Sequence, residues 1–194
     1  MRPSRAKVGI LISGRGSNMK AIVDASRADA CHYVVVLVAS NNPDAAGIAE
    51  AREAGIATFA HSHRGMERAA FDRLIEGALR DAGVEWIALA GYMRLLSPEF
   101  IVRWQGRIVN IHPSLLPKYK GLDTHARALA AGDTHHGCSV HIVTPELDDG
   151  PVVAQAEIPI RDGDTPETLA DRVLIEEHRL YPQALAGLIV GDHG

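Results

Sequence analysis

Tyr33-Val34-Val35-Val36-Leu37-Val38-Ala39-Ser40 is an unbroken apolar run rich in β-branched side chains. A strand without polar alternation has no face for water, so this one reads as central and covered on both sides. Upstream, Val8 to Ser13 has the same texture, and Ser17 to Ala28 between the two reads as a helix. Downstream, the spacing predicts a helix over Asp44 to Ala54, a weak strand near Thr58-Phe59, a helix from about Met66 to Ala82, and a strand over Trp86 to Ala90. Strands that alternate with helices make a parallel sheet, and right-handed crossovers wind it on both sides. The expected fold class is therefore α/β: a doubly wound, mostly parallel sheet, Rossmann-like in its N-terminal half, with helices on both faces.

The texture changes after Pro117. Ser139 to Val143 and Val152 to Ile160 read as strands joined by the turn-rich loop Thr144 to Gly150. A long helix follows Thr165-Pro166-Glu167, with Thr165 as cap and Pro166 in the first helical position. Pro182 is expected to kink or end it. No linker, repeat or low-complexity segment divides the 194 residues, so one domain is expected over 1–194.

Twenty-four acidic residues against 20 basic ones give a net charge of −4, which speaks against bulk nucleic-acid binding. Cys31 and Cys138 are too few for a disulfide framework and suit a reducing cytoplasm, as small buried hydrophobes. The basic start Met1 to Lys7 and the apolar residues after it resemble a signal peptide only superficially, because the run ends at Ser13-Gly14. No segment approaches the ~20 apolar residues of a membrane span. The expectation is a soluble cytoplasmic protein.

Chemistry concentrates in Asn110-Ile111-His112-Pro113. Side chains at i and i+2 of a strand share a face, so the amide and the imidazole look into one space, and Pro113 ends the strand there. A hydrogen-bond donor beside a titratable group at a strand's carboxyl end is where an open α/β sheet places its chemistry.

Ser13-Gly14-Arg15-Gly16-Ser17-Asn18, between the first strand and first helix, fits two readings. Gly16, Ser17 and Asn18 could bind a phosphate at the helix N-terminus, or the segment could be a plain turn capped by Ser17. A dinucleotide is disfavoured, since Met19 stands where the fingerprint's third glycine would be and Ala39-Ser40-Asn41-Asn42 offers no ribose-binding carboxylate. Glu146-Leu147-Asp148-Asp149-Gly150 reads as a solvated turn, or as a source of a carboxylate that orients His112 and favours its charged form. His125, His135, His136 and His141 match no usual zinc-ligand spacing, so no metal is expected. His61 and His63 read as loop residues. Ser114 and Ser139 lack a nucleophile setting, and Ser139 reads as a structural or ligand-contacting hydroxyl.

Taken together, Ser-Gly-x-Gly-Ser-Asn at 13–18, Leu-Ala-Gly-Tyr-Met-Arg-Leu-Leu-Ser-Pro at 89–98, Asn-Ile-His-Pro-Ser-Leu-Leu-Pro at 110–117, Glu-Leu-Asp-x-Gly at 146–150 and Glu-His at 177–178 resemble the phosphoribosylglycinamide formyltransferases, a folate-dependent family. That resemblance implies transfer of a formyl group from 10-formyltetrahydrofolate, as co-substrate, to the amine of glycinamide ribonucleotide in the third step of purine synthesis. Asn110, His112 and Asp148 match the catalytic trio. Gly16, Ser17 and Asn18 match the phosphate loop, and Glu177 matches a contact to glycinamide. Arg68, Met93, Arg94, Leu95 and Leu96, with Asn110 again, match the folate side. The halves implied are phosphate-binding to about residue 105 and catalytic from about 106. The partners are these two small molecules, with homodimerisation left open. Arg15, Lys120, Asp123 and Leu174 depart from residues common in the family.

Other folate-dependent formyltransferases, such as those acting on methionyl-tRNA or nucleotide sugars, share residues 110–117 and the later Asp. They resemble longer chains with another domain, as does formyltetrahydrofolate hydrolase. A non-catalytic nucleotide-binding module would explain the glycine loop but give Asn110, His112 and Asp148 no common purpose.

Overall fold

A computed structural model describes residues 5–192; the Met1 to Ser4 part of the basic start lies outside the described residues. Seven strands form one sheet: β1 (Ala6–Ile12), β2 (Tyr33–Ser40), β3 (Ala57–Ala60), β4 (Trp86–Leu89), β5 (Ile108–His112), β6 (His135–Ile142) and β7 (Val152–Pro159), in the order β3-β2-β1-β4-β5-β6-β7. The pairs up to β4–β5 are parallel, and β5–β6 and β6–β7 are antiparallel. The α/β, mostly parallel sheet expected from the apolar runs is the one observed.

Period-2 alternation divides the strands between two cores. Val8, Ile10 and Ile12 of β1 and Val109 and Ile111 of β5 pack with α1 (Ser17–Ser26), α2 (Ala46–Glu53) and α6 (Pro166–Asp192). Leu11, Leu37, Ile87 and Ile108 face the other way, onto α3 (Arg68–Asp81) and α4 (Pro98–Arg103). Cys138 is a buried member of the first core, Cys31 packs partly against it, and both thiols are free. Among the described residues, no helix is long and apolar enough to cross a membrane.

Two expectations are corrected. Ser17 does not cap α1: Gly16 occupies that position at φ 75, and Ser17 is the first helical residue. Pro182 does not end the last helix, which continues to Asp192. Tyr181, Pro182, Ala184, Leu185 and Ile189 are all buried along it, and this packing outweighs the amide hydrogen bond that proline cannot donate. The start of α6 is as expected: the Thr168 amide donates to Thr165 Oγ1 at 3.3 Å, and the Thr165 amide donates to Thr168 Oγ1 at 2.9 Å. Two short helices, α4 and α5 (Thr124–Ala130), are additional to those expected, and β6 begins at His135 rather than Ser139.

Register places the chemistry. Leu11 of β1 pairs with Leu89 of β4, which pairs with Asn110 of β5. Two strand spacings of ~4.8 Å therefore separate Leu11 from Asn110 at the carboxyl edge, with the glycine loop starting two residues beyond Leu11.

Candidate active site

Asn110 and His112 lie on one face of β5, and the antiparallel pairing of β6 places His141 opposite Asn110 and Ser139 opposite His112. All four side chains therefore share a face. Asn110 Nδ2 lies 3.2 Å from His141 Nε2, and His141 Nδ1 lies 3.1 Å from the Ile142 carbonyl. The Ile142 carbonyl accepts from His141 Nδ1, which orients the ring beside the Asn110 amide.

Asp148 reaches this cluster from the β6–β7 loop. Its Oδ2 is 3.4 Å from His112 Nδ1 and its Oδ1 is 3.6 Å from His141 Nε2. Residue 148 takes φ 49, a left-handed conformation that Asp tolerates better than most side chains. The Gly121 amide donates to Asp148 Oδ2 at 2.9 Å. At the end of the loop, a Cβ on Gly150 would fall 1.7 Å from the Ile142 carbonyl oxygen, so only glycine lets the loop close against β6. Burial pushes the Asp148 carboxyl up, but the contact with His141, the Gly121 amide and the His112 charge together hold it below the usual range. It is a carboxylate at neutral pH. His112 Nε2–H donates to the Tyr119 carbonyl at 2.8 Å, so a proton on Nδ1 as well would face Asp148. The geometry thus suits a charged imidazole backed by an ionised carboxylate, with an amide donor two residues away.

Ser139 is the structural hydroxyl among the four. It donates to the Ser114 carbonyl at 2.6 Å and accepts from the Leu116 amide at 3.0 Å, and so pins the loop after His112.

At the glycine loop, Gly16 needs its positive φ and approaches Gly47 closely: a Cβ there would lie 3.2 Å from Gly47 Cα. The first helical hydrogen bond runs from the Lys20 amide to Gly16 O at 2.8 Å, which leaves the first-turn amides of residues 17–19 at the positive end of α1. Ser17 is exposed there, whereas Asn18 is buried. Asn18 Nδ2 donates to Glu177 Oε2 of α6 at 2.6 Å, and Asn18 Oδ1 has no partner. Burial pushes the Glu177 carboxyl above the usual range despite that hydrogen bond.

The segment after β4 is tied to this loop, since the Met93 amide donates to Ser13 Oγ at 2.8 Å. Met93 and Leu95 stand out from the surface at 71% and 54% exposure, an apolar pair open to a ligand. Arg94 stacks over Phe71 at 5.1 Å. Leu96 turns into the core, and Arg68 is exposed in the first turn of α3. His61 and His63 lie in the loop between β3 and α3, as expected.

Sequence reasoning missed His141 and Tyr119 as neighbours of His112. The alternation Ser139-x-His141 carried a signal, but reading it required the antiparallel pairing of β6. His125 and His136 do meet, Nδ1 to Nε2 at 3.2 Å; burial lowers both, with repulsion from His112 added at His125 and from His125 added at His136, which falls to about 4. No three His, Cys, Asp or Glu side chains among the described residues are grouped to hold a metal ion.

A family model described as formyl transferase matches residues 6–185. The phosphoribosylglycinamide formyltransferase of Escherichia coli (strain K12) is 46% identical over 178 residues, covering 91% of this chain and 84% of that protein. The crystal structure of the phosphoribosylglycinamide formyltransferase from Brucella melitensis superposes with a TM-score of 0.92 at 50% identity, covering 96% of each chain. The trifunctional purine biosynthetic protein adenosine-3 of Bos taurus is 42% identical over 186 residues, and there the match spans only 18% of the relative's length.

Proposed function

The chain belongs to the formyl transferase family, as a phosphoribosylglycinamide formyltransferase, and from that premise we propose how its residues move a formyl group from 10-formyltetrahydrofolate to 5-phosphoribosylglycinamide. The single observation that carries the proposal is the convergence of Asn110, His112 and Asp148 at the carboxyl end of β5.

The substrate amine attacks the formyl carbon and forms a tetrahedral intermediate with a negative oxygen. Asn110 Nδ2 and the charged His112 ring stabilise that oxygen. Asp148, ionised and 3.4 Å from His112 Nδ1, faces the ring and takes up the proton that the attacking nitrogen must lose. Collapse breaks the bond from carbon to N10 as that proton reaches N10, directly or through water. The products are formylated glycinamide ribonucleotide and tetrahydrofolate, and atoms balance without a further reactant.

The phosphate-binding half runs to about residue 105 and the catalytic half from about 106. Gly16, Ser17 and Asn18 receive the phosphate at the α1 N-terminus, and Glu177 beside Asn18 receives the glycinamide. Arg68, Met93, Arg94, Leu95 and Leu96, with Asn110, line the folate side. The exposed apolar pair Met93 and Leu95 supports that assignment. Free thiols at Cys31 and Cys138 suit the reducing cytoplasm in which we place the enzyme.

Tetrahydrofolate release should depend on added glycinamide ribonucleotide, with one formylated product per tetrahydrofolate. Release at the same rate without it would mark a hydrolase and overturn the reading. Ser17→Ala should raise KM for glycinamide ribonucleotide about tenfold, the loss of one hydrogen bond to a charged group, with kcat nearly unchanged. An unchanged KM would return residues 13–18 to a plain turn.

A further inference from the structure

Tyr119 is a non-glycine residue at φ 54, and its carbonyl accepts the His112 Nε2–H bond at 2.8 Å. A left-handed conformation strains a bulky residue and persists only where its surroundings hold it. Here they do so from several sides. Tyr119 Oη donates to Asp133 Oδ2 at 2.7 Å, and Lys118 Nζ lies 3.1 Å from each Asp133 oxygen. The Arg127 guanidinium sits 5.3 Å from the Tyr119 ring centre, and its Nη1 donates to the Lys120 carbonyl at 2.6 Å. The Ser114 hydroxyl donates to the Lys118 carbonyl at 2.6 Å, and the buried His136 ring lies 6.2 Å from the Tyr119 ring. The carbonyls of both neighbours of Tyr119 are thus held, and its side chain is anchored at the far end.

We propose that Tyr119, held left-handed by Asp133 and Arg127, is a positioning residue whose carbonyl keeps the proton of His112 on Nε2 and so assigns Nδ1, the edge facing Asp148, as the one that carries the second proton of the charged ring. This rests on the role given to His112 above. A ring nitrogen hydrogen-bonded to a backbone carbonyl must keep its proton, so the tautomer of the neutral ring is dictated by its partner. With Nε2 committed, the second proton goes to Nδ1, 3.4 Å from Asp148 Oδ2. Without the carbonyl, the neutral ring could also hold its proton on Nδ1 against Asp148, and the second proton would then go to Nε2 instead.

The test uses the full chain, with Tyr119→Phe and Asp133→Ala as separate variants that each cut the Oη anchor. His112 is then observed by 15N-edited NMR at a pH where its ring is neutral. Wild type should show a single Nε2–H tautomer, and both variants a mixture. Their kcat should fall about tenfold with KM for both substrates held, the signature of misplaced chemistry rather than weakened binding. A pure Nε2–H tautomer and wild-type kcat in both folded variants would overturn the clamp. An Nδ1–H tautomer in wild type would also overturn it. The tautomer is read without substrate, so an absence of formyl transfer in wild type would sink the functional reading alone.

Discussion

Asp148→Asn is expected to lower kcat for formyl transfer about 10²- to 10⁴-fold, the range for loss of a positioned acid–base group, while KM for both substrates stays within a few-fold of wild type. The substitution is nearly isosteric, so the 146–150 loop and the Gly121 amide contact to Oδ2 should persist. What disappears is the negative charge 3.4 Å from His112 Nδ1 and 3.6 Å from His141 Nε2. A neutral amide no longer favours the charged imidazole and no longer accepts the proton leaving the attacking amine. The charge is available across the working range, because the Asp148 carboxyl is held below the usual carboxylate range. Acidification from pH 7 to pH 5 therefore leaves it ionised, and a loss of rate in that window is not its titration. Steady-state kinetics with each substrate varied in turn checks the split, and a KM effect with intact kcat would place Asp148 in binding instead.

His112→Ala should lower kcat about 10²- to 10³-fold, the cost of one stabilising group removed from beside a developing oxyanion, with Asn110 left to stabilise the charge alone. His112 is only 5% exposed, so the variant also opens a small polar space beneath the loop that starts at Pro113. Ser139 holds that loop independently, through Ser114 O and Leu116 N, and the fold should survive. Thermal unfolding of the variant, measured beside its kinetics, separates lost chemistry from lost structure. Near-normal turnover would remove His112 from the mechanism.

The sheet was legible because apolar runs such as 33–40 have no polar face and because strands and helices alternate as parallel topology requires. The site was legible in part. Period 2 alone puts Asn110 and His112 together, and proline after His112 marks the strand end. Asp148, 36 residues beyond His112, joins them only because β6 turns back antiparallel to β5, a pairing that local pattern does not encode. The same fold-back brings in His141, which the sequence offered only as a failed zinc ligand. Tyr119 was invisible for another reason: it acts through a backbone carbonyl, and no side-chain motif announces a left-handed tyrosine. Pro182 and Ser17 show tertiary packing and backbone geometry overriding local rules, since a buried helix tolerates the missing amide bond and Gly16 reaches a conformation that Ser17 would adopt only under strain.

In the mechanism proposed, His112 and Asp148 work as one unit, a carboxylate facing a charged imidazole. Groups that act as a unit are strongly non-additive, because removing the second costs little once the first is gone. Measuring kcat for formyl transfer in wild type, His112→Ala, Asp148→Asn and the double variant tests this directly. The double variant should be about as slow as the slower single one, and a double variant slowed by the full product of the two single effects would contradict the account.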